Sequence, residues 1–162
     1  MAFKVIADHA RAITMALSDG AVFENTGRGY VLRRLLRRAS RMGRKLNINK
    51  EFLSPLVDVV VDNYKEVYPE LVGTMPKVKE LISKEELLFQ KTLLSGEKKL
   101  EELFKNKNKV ISGKDAFKLY DTYGYPIELT EEAAMEKGFT VDKEEFKAYM
   151  NAQKELARKN RK

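Results

Sequence analysis

The sequence predicts an all-α, bundle-like domain of about six or seven helices, and three observations predict it. Apolar residues recur at helical spacing in nearly every segment between turns. No segment shows the alternation of a half-buried strand. The breaks fall at helix punctuation such as Asp19-Gly20, Asn47 to Asn49 and Gly138. One helix is expected to be long and another to carry an arginine face. With 162 residues, 43% apolar and 34% charged, the chain can bury one sizeable core or two small ones.

Val5, Ile6, Ala10, Ile13, Ala16 and Leu17 trace the first helix, which Asp19-Gly20 stops. A loop from Ala21 to Gly29 follows and contains Asn25-Thr26-Gly27. The second helix is expected over 30–46. On a wheel of about 100° per residue with Val31 at zero, Val31, Leu32, Leu35, Leu36, Ala39, Met42 and Leu46 occupy about 0–140°. Arg33, Arg34, Arg37, Arg38, Arg41, Arg44 and Lys45 occupy about 200–340° on the same wheel. One arc is thus assigned to a core and the other to a continuous guanidinium surface.

Asn47 to Asn49 breaks that helix, and Phe52 to Tyr64 reads as the third. Pro76 suits a first helical position and opens a long helix reaching to Phe104 through Val78, Leu81, Ile82, Leu88, Phe89, Leu93, Leu100 and Leu103, with Gly96 a weak point. Lys105 to Lys109 is a solvated loop. A short helix from Lys114 to Asp121 runs into Thr122-Tyr-Gly-Tyr-Pro126, a turn with aromatic walls. Thr130 is expected to cap a helix that Gly138 ends, and Asp142 with Glu145 resembles a capping box for the last. The expected domain covers 1–162, with a core over 4–104 and a C-terminal helical part over 110–162 that carries the DTYGYP motif.

Charge is distributed very unevenly. The chain has a net charge of +7. Residues 28 to 50 hold nine Lys and Arg and no acid, whereas the segments on either side each sum to −1. Seven of the ten arginines lie between Arg28 and Arg44. Within the segment no carboxylate relieves the repulsion between arginines at i,i+4, and planar guanidinium forks suit phosphate oxygens. A polyanion is the expected partner. The competing reading is that carboxylates from other helices neutralise the face. Four to six phosphate contacts would imply a log–log salt slope of roughly −3 to −5.

Other chemistries are excluded or weak. There is no cysteine and only one histidine, so disulfides, Cys-based zinc and a His-rich metal site are out. No run approaches the roughly 18 apolar residues of a membrane span, and MAFKVIADHARA is not a signal peptide. No membrane partner is expected, and a cytoplasmic setting is. There is no nucleotide-cradling glycine loop or nucleophile elbow. Asp8-His9 is the one acid/base candidate, but a lone His at a helix start is more often structural. The Glu pairs at 85–86, 101–102, 131–132 and 144–145 read as solvated helix faces balanced by lysines.

Arginines supply affinity and do not read sequence. Two polar residues near them are the candidates for readout. Asn25 sits in the loop before the arginine helix, and Asp121 sits beside Tyr120, Tyr123 and Tyr125. A carboxylate aimed at RNA makes sense where it accepts from a base amino group or a 2′-hydroxyl in the shallow minor groove. Asp121 as a neighbour of the helix end, with the tyrosines in a core, is an equally good reading of these residues alone.

At these residues the chain closely resembles alanyl-tRNA synthetase. The resemblance runs from Val5-Ile-Ala-Asp-His-Ala-Arg-Ala12 through Asn25-x-Gly-Arg-Gly-Tyr-Val-Leu-Arg-Arg to Leu119-Tyr-Asp-Thr-Tyr-Gly-x-Pro126. Glu24 stands where the family usually has Ser, Phe23 where Pro is common and Tyr125 where Phe is usual. The first two bear on the loop that carries Asn25. The resemblance implies a helical tRNA-recognition domain of a larger enzyme whose catalytic core lies outside these residues. The implied parent joins alanine to tRNA(Ala) using ATP, with ATP and Mg in that catalytic domain and no cofactor or catalytic residue here. By resemblance, Asn25 and Asp121 contact a G·U wobble pair in the acceptor stem. Arg33, Arg34, Arg37, Arg38, Arg41, Arg44 and Lys45 are then expected on the RNA backbone, supported by Arg28, Tyr30 and Tyr123. The expected partners are the tRNA(Ala) acceptor stem and the parent's catalytic domain. The alternative is a structural module that docks the catalytic domain through its arginine face and touches RNA little. An autonomous helical nucleic-acid binder lacks any motif of its own.

Overall fold

The computed structural model describes residues 1–161; Lys162, the last residue of the expected C-terminal part, lies outside them. Among the described residues the order is α1 (Ala2–Ser18), α2 (Gly27–Lys45), α3 (Leu53–Tyr64), α4 (Glu70–Leu103), β1 (Val110–Ile111), α5 (Gly113–Asp121), α6 (Ile127–Glu136), β2 (Thr140–Val141) and α7 (Lys143–Lys159). The all-α expectation holds. The chain divides into two compact units, Met1–Lys91 and Thr92 onward. The division falls inside α4 rather than in the Lys105–Lys109 loop between the two expected parts.

In the first unit α1, α2, α3 and the start of α4 share one core. Ile6, Ile13 and Leu17 meet Leu32, Leu36, Ala39 and Met42, together with Val57, Val61, Val78 and Ile82. Each such side chain removed from water contributes about 1.5–3 kcal/mol before entropy is counted. The end of α2 is set by Asn47, whose φ of 64° lets Ile48 N–H reach Gly43 O at 3.0 Å.

Three expectations are corrected here, the first being that α2 opens at Gly27, within the expected loop, rather than at Tyr30. The long helix opens at Glu70, because Leu71 and Val72 N–H bond back to Tyr68 O and Pro69 O at 3.0 and 3.2 Å and Leu71 is buried. Pro76 therefore lies inside α4, where its missing N–H costs one helical bond. Glu85 and Glu86 are not a solvated pair, since both are buried. Glu86 accepts from Phe52 N–H at 3.1 Å and Leu53 N–H at 3.0 Å. It thereby caps α3, whose own N-cap supplies no side-chain bond.

The second unit contains a feature that lacks a sequence signal. β1 and β2 form a parallel pair, Val110 opposite Thr140 and Ile111 opposite Val141. Two residues are too few for alternation to show. Ser112 caps α5 by accepting from Asp115 N–H at 3.1 Å. Asp142 caps α7 through Glu145 N–H at 3.1 Å, although the Glu145 carboxylate turns to Lys114 N–H instead of closing a box. Thr130 caps nothing. It is fully buried within α6, which opens at Ile127 because Pro126 O accepts from Leu129 and Thr130 N–H.

Candidate nucleic-acid interface

Asn25 is exposed in the loop that leads into α2. The loop lies tight against the helix start. A Cβ on Gly29 would come within 2.4 Å of Val22 O and 2.7 Å of Glu24 N, so only glycine permits this approach. The Asn25 Oδ1 accepts from Arg33 Nη1, eight residues further on. Arg33 in turn donates Nε to Glu85 Oε1 at 2.6 Å and Nη2 to Glu85 Oε2 at 3.3 Å. Arg37 shares Glu85 Oε1 at 3.1 Å, and its guanidinium lies over Phe89 at 5.3 Å from the ring centroid.

The expected continuous guanidinium surface is therefore divided. Side-chain exposure is 19% for Arg33 and 11% for Arg37, and Arg41 is buried at 5%. The physical reason is Glu85 on α4, which neutralises two of the cations from outside their own helix. Arg38 Nη1 lies 3.2 Å from His9 Nε2, and Asp8 lies 3.6 Å from Arg11. Arg34 and Tyr30 are half-buried. Arg44, also half-buried, donates to Asn49 Oδ1, while Lys45 is exposed. Arg28 is exposed and lies 3.6 Å from Asp19. By exposure Arg28 and Lys45 are the most open of these cations, and Arg34, Arg38 and Arg44 are half-buried.

Asp121 belongs to the second unit and ends α5. It is exposed. A carboxylate there faces the negative end of the helix dipole, so local helix electrostatics give no reason for it. Its Oδ1 accepts from Gln153 Nε2 of α7 at 3.0 Å. Aromatic packing makes that meeting possible. Phe117 of α5 stacks with Tyr149 of α7, and Tyr120 sits edge-on to Phe146, with centroids 5.7 and 6.0 Å apart. Phe146, Tyr149 and Gln153 follow one face of α7 at helical spacing.

The turn after Asp121 is anchored by α4 within the same unit. Thr92 Oγ1 donates to Tyr123 O at 2.6 Å. Tyr125 is fully buried and lies over Gly96, where an added Cβ would meet its ring at 2.4 Å. Its hydroxyl donates to Glu97 Oε2 at 2.6 Å, with Leu93 O at 3.1 Å. Gly96 is a docking site for Tyr125 rather than a weak point in the helix. Tyr125 is core, and Tyr120 and Tyr123 are half-buried.

Glu85 and Gln153 were not among the sequence candidates. Glu85 left a signal, because it and Glu86 stand at i+3 and i+4 from Ile82, where the apolar stripe leading to Phe89 calls for burial. Gln153 left none, since its role depends on α7 folding back onto α5.

The family model for class II tRNA synthetases (A) matches residues 1–162. The chain is 54% identical over 162 residues to the alanine–tRNA ligase of Bacillus thuringiensis subsp. konkukian, covering 98% of this chain and 18% of that protein. The alanine–tRNA ligase of Bacillus anthracis is likewise 54% identical over 162 residues, with 98% and 18% coverage. That of Lactobacillus delbrueckii subsp. bulgaricus is 53% identical over 165 residues, with 99% and 19% coverage. The chain thus spans less than a fifth of the length of these relatives.

Proposed function

The chain belongs to the class II tRNA synthetases (A), and from that premise we propose that it recognises the acceptor stem of tRNA(Ala) for an enzyme that joins alanine to that tRNA. One observation carries the reading. Asn25 and Asp121 are both exposed, and in each one oxygen is held by a donor from a neighbouring side chain. A carbonyl oxygen has a second lone pair and a carboxylate a second oxygen, so each retains an acceptor for RNA. In a G·U wobble pair the guanine 2-amino group lacks a pairing partner and projects into the minor groove. Acceptors are what that edge requires, and a G·C pair engages the same amino group.

Arg28, Arg34, Arg44 and Lys45 hold the phosphates in this proposal, and Arg33 and Arg37 contribute indirectly. Four such contacts give a log–log salt slope of about −3 to −4. Among the described residues no three His, Cys, Asp or Glu side chains gather to hold a metal ion. ATP and Mg are proposed to act in the catalytic part of the longer relatives, and no step here passes through them. No helix among the described residues is long and apolar enough to cross a membrane. The cytoplasm is the proposed setting, and the catalytic domain of the same parent is the proposed intramolecular partner. The alternative is docking of that domain through the arginine face, and Glu85, which already uses Arg33 and Arg37 structurally, leaves fewer of those cations for either partner.

Titration of the chain with acceptor-stem minihelices tests the reading. Asn25→Ala or Asp121→Ala narrows the preference for a G·U stem over a G·C stem, each contact contributing about 1–3 kcal/mol. Arg34→Ala and Arg44→Ala weaken both stems alike. Absence of salt-sensitive binding by the folded chain would favour the docking reading.

A further inference from the structure

The structure assigns Glu85 a positioning role, in which it sets the orientation of the Asn25 amide through Arg33; the inference rests on the reading of Asn25 as a base reader. Three contacts carry it. Arg33 presents its Nε/Nη2 edge to both oxygens of Glu85, at 2.6 and 3.3 Å. A guanidinium is planar and offers its donors in a rigid fork, so binding one edge to a carboxylate fixes where the remaining nitrogen points. That nitrogen is Nη1, and it donates to Asn25 Oδ1.

The relay runs from interior to surface. The Glu85 side chain is 7% exposed, and Arg33 is 19% exposed, while Asn25 lies in an exposed loop. Arg37 holds the same Glu85 oxygen from the other side at 3.1 Å and is itself seated on Phe89. The carboxylate therefore has little freedom to rotate, and neither does Arg33. An arginine nitrogen only donates, so Asn25 must turn its oxygen toward Arg33 and cannot present the flipped amide. One lone pair of Oδ1 and the Nδ2 donor then remain for a ligand. An adjacent acceptor and donor match the minor-groove edge of guanine, whose 2-amino group donates and whose N3 accepts. Without the relay both amide orientations are open, and the flipped one presents its donor where the acceptor belongs.

Two measurements test this on the whole 162-residue chain. The first needs no RNA. The Asn25 side-chain amide pair in a proton–nitrogen correlation spectrum is expected to lie apart from the other exposed asparagines. Both Glu85→Gln and Arg33→Lys return it to their position. Arg33→Lys keeps the charge beside Glu85 and so serves if Glu85→Gln fails to fold. An Asn25 signal unmoved in whichever variant folds overturns the relay.

The second measurement is the ratio of G·U to G·C minihelix affinity. The same variants lower it about fivefold, the worth of one ordinary hydrogen bond, while the salt slope changes by less than one unit. In an Asn25→Ala background they lower it no further. A further loss in that background, or an unchanged ratio in the wild-type background, overturns the positioning role. If Asn25→Ala itself leaves the ratio unchanged while the spectral shift occurs, the orientation stands and the assignment of Asn25 as a reader falls.

Discussion

Two side chains show at the residue scale how position alters a familiar group. Burial pushes the Glu86 carboxyl up to about 7, the nearby Glu51 charge adds to this, and the Phe52 and Leu53 N–H groups oppose it. A carboxyl raised in the fold keeps its proton where the unfolded chain has lost it, here between about 4.5 and about 7. Its contribution to stability is therefore present at low pH and declines as pH rises through that window. Glu86→Gln retains an acceptor for the cap and removes the titration. Thermal melts at several pH values should show the variant gaining on the wild type by about 1–3 kcal/mol from pH 5 to 8. Equal pH dependence would show that Glu86 is not the titrating group. Asp121→Asn should leave the melting temperature unchanged or slightly higher, since it removes a charge from the wrong end of α5. The same change should narrow discrimination between stems, because an amide can turn a donor toward the base amino group.

The helices at the element scale are held by contacts that other elements supply. Glu85 serves two arginines of α2 from α4, so Glu85→Ala strands two nearly buried cations. A loss of about 3–5 kcal/mol is expected in a denaturant titration, against under 1 kcal/mol for Glu101→Ala on the exposed face of the same helix. Gly96 of α4 serves Tyr125 in the same manner. Gly96→Ala raises helix propensity by about 1 kcal/mol and yet should destabilise the fold, because the new methyl drives into the tyrosine ring. A melting temperature above wild type would contradict that packing. Tyr125→Phe, which restores the residue usual in the family, is expected to be tolerated better than Gly96→Ala, since it removes only the hydroxyl and its bonds to Leu93 O and Glu97.

The net charge of +7 describes the whole molecule poorly. Part of the basic segment is neutralised internally, and the exposed remainder repels itself at low salt. Melting temperature should rise between about 10 mM and 150 mM salt as this repulsion is screened, while affinity for any RNA stem falls. A melting temperature that falls with salt would mean that surface ion pairs dominate the balance. The sequence by itself determined the helical class, the family and the course of α1 and α3, whereas α2 opens at Gly27, three residues before its expected start. What it determined rests on local properties: apolar spacing, punctuation at turns, and motifs whose residues lie within a few positions of one another. It did not determine which arginines face solvent, because the wheel places Arg33 and Arg37 by angle alone and Glu85 lies 52 and 48 residues away. It likewise left Thr130 as a cap, Gly96 as a flaw and Gln153 unnoticed. Each of those depends on which surfaces the chain folds together, and only the tertiary structure decided that. A buried carboxylate can claim a cation that its own helix leaves to water.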